Sequence, residues 1–60
     1  MNTKWLLEYA IEKAKNYPQH KEEIKEIYML CMSEIEEGGS VSGEIESALQ
    51  SIDEVIGEQQ

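Results

Sequence analysis

Apolar residues recur along this chain every three or four positions, in three separate runs. In the first, Leu6, Leu7, Ala10, Ile11 and Ala14 trace one face of a helix over residues 3–16, with Trp5 and Tyr9 four apart beside it. Asn2 or Thr3 stands where an N-cap belongs. Glu8 and Glu12 come early and Lys13 and Lys15 late, an order that complements the helix dipole. Asn16-Tyr17-Pro18 ends the run, because proline pushes the residue before it out of the helical region. Pro18 then suits the first turn of a second helix, where a missing N–H costs little.

That second helix is expected over residues 18–37. Ile24, Ile27, Tyr28, Cys31 and Ile35 share one face, and Met29, Leu30 and Met32 widen it. The middle, "IYMLCMSEI", is apolar nearly all round, more than one small neighbour would cover. Two explanations follow: a central helix packed between two others, or a face left for a partner. Gly38-Gly39 stops the helix, one glycine suiting a left-handed C-cap, and Ser40 or Ser42 caps the next. The third run, Val41, Ile45, Ala48, Leu49, Ile52, Val55 and Ile56, is the cleanest amphipathic pattern and spans residues 41–56. Gly57 and a frayed polar "EQQ" follow it. No alternation of the strand kind occurs. The expected fold is all-α: a small three-helix bundle, or a helical hairpin of the second and third helices with an extra N-terminal helix. Sixty residues allow one small helical domain, residues 1–60.

Charge changes this picture more than composition does. The chain carries −8, and its five lysines, Lys4, Lys13, Lys15, Lys21 and Lys25, all fall within residues 1–28, where five glutamates balance them. Residues 29–60 hold eight acids and no base. Such a half repels phosphate, which argues against direct nucleic-acid binding. It suits a protein partner with a basic surface, or serves solubility alone. No apolar stretch approaches the ~20 residues of a membrane span. A lone cysteine and the lack of a signal peptide point to a soluble protein in a reducing, cytoplasmic setting.

Candidate chemistry is sparse. His20 and Glu23 are three apart and can touch on one face, but the facing Glu-x-x-His pairs of a di-metal bundle are missing. Asp53-Glu54 and Glu36-Glu37 are adjacent and so diverge around a helix, a poor arrangement for chelation. Cys31 lies on an apolar stripe with no histidine beside it and reads as core. "GGSVSG" lacks the lysine of a phosphate loop. These residues give no catalytic group, metal site or cofactor, and the expectation is a protein that is not an enzyme.

The stretch "SEIEEGGSVSGEIESALQSIDEVI" resembles segments of short bacteriophage proteins, in which an acidic helix end, Gly-Gly and a Ser cap lead into an amphipathic helix. The likeness covers residues 28–56, with Val41 where proline often stands in those proteins. It implies a phage-encoded accessory protein in the bacterial cytoplasm, acting by binding a host protein. The leading expectation is therefore a protein-binding module, an inhibitor or modulator of a host factor. The residues expected to meet the partner are Trp5, Tyr9, Tyr28, Met29, Met32, Glu36 and Glu37, the methionines as adaptable apolar contacts and the acids as rim. Two rivals stand beside it: an acidic nucleic-acid mimic filling a basic cleft, and a self-associating structural subunit, for example a homodimer built on the second helices.

Overall fold

The computed structural model describes residues 3–57. They form three α-helices: α1, Thr3–Asn16; α2, Lys21–Glu36; and α3, Val41–Ile56, with a 3-10 turn at Pro18–His20 ahead of α2. No strand occurs among the described residues, so the fold is all-α.

The expected second helix is thus split. Tyr17 lies outside the helical region (φ −130°, ψ 67°), where the following proline pushes it, and ends α1. Pro18 opens a tighter turn in which His20 N–H donates to the Tyr17 carbonyl at 2.9 Å. His20 itself is held off α-geometry (φ −112°, ψ 14°), and regular α-helix begins at Lys21. Thr3 is already helical. The alternative cap, Asn2, and the tail at residues 58–60 lie outside the described residues.

Two layers of core set the direction of every helix. One joins Leu6 of α1, Cys31 late in α2, and Ile45 and Ala48 early in α3. The other joins Ala10, Ile24 early in α2, and Ile52 late in α3. Partners that run in opposite order along the chain mean α2 is antiparallel to both α1 and α3. Ile27 and Tyr28 pack against both layers and tie them together. The Cα radius of gyration, 10.9 Å, is close to the roughly 10 Å expected of a compact chain this long. This is a three-helix bundle, with α1 packed onto the α2–α3 hairpin rather than detached from it.

Leu6, Ile24, Ile45 and Ile52 are the large side chains with essentially no exposed surface. Each contributes about 2 kcal/mol relative to leaving it in water, against a total stability on the order of 3–9 kcal/mol for a chain this size. Each is therefore a large fraction of what holds the molecule together.

The α2–α3 turn uses both glycines, for different reasons. Gly38 sits at φ +105°, and its N–H donates to the Ile35 carbonyl at 3.1 Å, while Gly39 N–H reaches back to the Glu34 carbonyl at 2.9 Å. This pair of bonds is a Schellman cap, which satisfies carbonyls that a helix end otherwise leaves open. A Cβ on Gly39 would stand 2.9 Å from the same Glu34 oxygen and 3.1 Å from the Glu44 carboxylate. Ser40 then caps α3 with a long bond, its Oγ accepting from Gly43 N–H at 3.4 Å.

Gly38→Ala is expected to cost about 1 kcal/mol from backbone strain alone. Gly39→Ala is expected to cost more, about 1–3 kcal/mol, because a backbone oxygen must move. Urea denaturation of both variants checks the order, with Gly38→Asn recovering part of the first loss.

Candidate interaction surfaces

The residues expected to meet a partner fall in three places. Trp5 and Tyr9 stack on one flank of α1, with ring centroids 5.5 Å apart and planes at 18°, and Lys13 Nζ lies 5.5 Å over the Tyr9 ring. Tyr9 is half-buried, and its hydroxyl donates to Asp53 Oδ1 at 2.9 Å, fastening α1 to α3. Trp5 remains 45% exposed. This aromatic group is half structural and half surface. Tyr17 does not extend it, since it follows the far end of α1 whereas Trp5 stands near the start.

Tyr28 and Met32 turn inward, Tyr28 against both core layers and Met32 against the Leu6 layer. Met29 points out and is 57% exposed. Glu36 and Glu37 are exposed at the end of α2. Glu36 follows Met32 by four positions, so it borders that flank as an acidic rim.

Periodicity alone misplaced one feature. Leu7 and Ile11 read as core in the sequence, yet they are 40% and 49% exposed. With Ala10 and Ala14 of α1 they face Ile24 and Tyr28 of α2 across an open apolar groove of about 190 Å³. Lys21 and Lys25 border it, one helical turn apart. A second hollow of about 370 Å³ continues it over Pro18, sharing Ile11, Ala14 and Lys21 and adding Lys15. No carboxylate lies within ion-pairing distance of Lys15, Lys21 or Lys25 among the described residues. The sequence signal existed in the spacings Leu7-Ile11-Ala14 and Lys21-Lys25, but their meeting depends on how α1 packs against α2.

Titratable groups elsewhere are local in their effects. His20 Nδ1 lies 2.9 Å from Glu23 Oε1 on the surface of α2's first turn, the contact their spacing predicts. Cys31 is buried. Burial pushes its thiol above the ordinary range, and the Glu44 carboxylate adds to the effect, so the thiolate is disfavoured. No cluster of three or more His, Cys, Asp or Glu residues arranged to hold a metal occurs among the described residues. Among the same residues, no helix is long and apolar enough to cross a membrane.

No family model matches the chain, and searches of curated proteins and solved structures give no significant match.

Tyr9→Phe is expected to lower stability by about 1 kcal/mol, the scale of one part-buried hydrogen bond, read from the urea midpoint. Cys31 supplies a pH test. Its raised folded-state pKa means that above the ordinary thiol range, about pH 8.5, the unfolded chain releases the proton first. The unfolded state then binds fewer protons than the native state, so stability should fall as pH rises through that range. Cys31→Ala should flatten this part of the stability profile.

Proposed function

We propose that this chain is a non-enzymatic protein-binding module that holds a partner protein on the apolar surface shared by α1 and α2. One observation carries the reading: Leu7, Ile11 and Met29 stay exposed on a molecule whose core is already small. Leu7 and Ile11 are four apart on α1 and line the groove, and Met29 follows the groove-lining Lys25 by four on α2. Uncovered apolar surface of this kind marks interaction sites. The resemblance of residues 28–56 to short bacteriophage proteins supports a phage-encoded inhibitor or modulator, with a bacterial host protein as the partner.

Affinity capture from bacterial lysate tests the reading when wild type is compared with Ile11→Glu and Met29→Glu. Both sites are half-exposed or more, so the helical circular-dichroism signal should survive in each variant. A partner retained by wild type should be lost at least about tenfold in the variants, the effect of removing one good apolar anchor. Capture that is equal for all three proteins defeats the proposal. Competition with nucleic acid for a basic protein, falling steeply with salt, would instead indicate the acidic mimic. Sedimentation that changes with concentration would indicate the self-associating subunit.

A further inference from the structure

We propose that the groove between α1 and α2 binds an acidic amphipathic helix of the partner protein, whose apolar stripe fills the groove while its flanking carboxylates meet Lys15, Lys21 and Lys25. This rests on the protein-binding reading above and specifies what enters the site.

The shape selects a helix. The α1 wall from Leu7 to Ala14 is two turns long, about 10 Å at 1.5 Å per residue. Apolar anchors at i, i+4 and i+7 of an incoming helix span the same distance. The groove is open, and its floor is nearly all apolar. A helix lying in it turns its own polar side to water.

Charge selects the sign. Net charge −8 taken alone favours a basic partner, but the groove is bordered by three of the five lysines, and none of the three has a carboxylate in ion-pairing range among the described residues. At physiological salt, charges interact over about 8 Å. A segment seated in the groove meets a lining that holds these three lysines and no carboxylate. A nucleic-acid duplex or a membrane is different. Each extends beyond the groove over a molecule of 31 × 21 × 16 Å and so meets its net negative charge. The apolar floor also offers phosphates nothing.

A second copy does not suit the groove. Two grooves packed face to face set lysines against lysines. Nor does the chain expose a helix of the required kind. Outside the groove the large exposed apolar residues among those described are Trp5, Met29, Leu30 and Val41. The only two of these on one helix, Met29 and Leu30, are neighbours and diverge by about 100°.

The test uses the full chain and a synthetic helix with leucines at i, i+4 and i+7 flanked by glutamates, followed by backbone-amide NMR and by titration. Saturable binding is expected, with shifts concentrated on Leu7, Ile11, Ile24 and Tyr28. The double variant Lys21→Glu/Lys25→Glu should bind the peptide about tenfold more weakly or worse. A peptide with lysines in place of the glutamates should also bind more weakly. The groove assignment is overturned if the lysine peptide binds equally well or if the shifts fall on α3. It is overturned too if the same groove residues shift with protein concentration in the absence of peptide. These failures are separable from failure of the protein-binding reading: a lysate partner kept by the double variant but lost by Met29→Glu leaves that reading standing and removes only the acidic helix.

Discussion

Three helices of 14 to 16 residues share a core with only four large side chains fully out of water, Leu6, Ile24, Ile45 and Ile52. A core so narrow covers one stripe on each helix and little more. α3 gives it Ile45, Ala48 and Ile52 on successive turns, whereas α1 gives it only Leu6 and Ala10. The flank of α1 that carries Leu7 and Ile11 is the side left over. The groove is thus a geometric remainder of packing three cylinders around too few large residues, and its apolar floor comes from side chains the core had no room to enclose.

Helix boundaries were legible because local chemistry sets them. Tyr17-Pro18 ends α1 by a steric clash between neighbours, and Gly38-Gly39 ends α2 through backbone bonds spanning a few residues. The onset of α2 was three residues off, since proline at the first turn allows either a 3-10 or an α-geometry and sequence does not choose between them. Membership of the core was legible at the centre of each stripe, at Leu6, Ile24, Cys31, Ile45 and Ile52. It failed at the edges, where Leu7 and Ile11 depend on whether a neighbouring helix reaches far enough. Tyr9 and Asp53, 44 residues apart, show the same limit: periodicity puts each on a helix and is silent about their hydrogen bond. Of the groove's lining, Tyr28 was anticipated from the over-wide apolar face of α2. The lysine border was not, because Lys15, Lys21 and Lys25 come from two helices and look like dispersed solubilising charge until α1 is laid against α2.

The charge asymmetry also takes a different meaning in three dimensions. In sequence it divides an uncharged half from an acidic one. In the fold, the antiparallel return of α3 along α2 carries acids along the length of the bundle, and three of the lysines border the groove between α1 and α2. The lysines of that border line the same hollows as the exposed Leu7 and Ile11.

The anchoring of α1 has a thermodynamic consequence. Leu6, Ala10, the Tyr9 hydroxyl bond and a short 3-10 link are among the contacts that hold it to the hairpin. The hairpin has its own tight turn and the larger share of the core. An opening confined to α1 leaves the hairpin's own contacts in place, so it requires less free energy than global unfolding. Because α1 is one wall of the groove, the open form has no groove at all. A ligand seated there raises the free energy of opening by an amount set by its concentration over its dissociation constant, so occupancy of the site and order in the first helix are a single equilibrium seen from two sides.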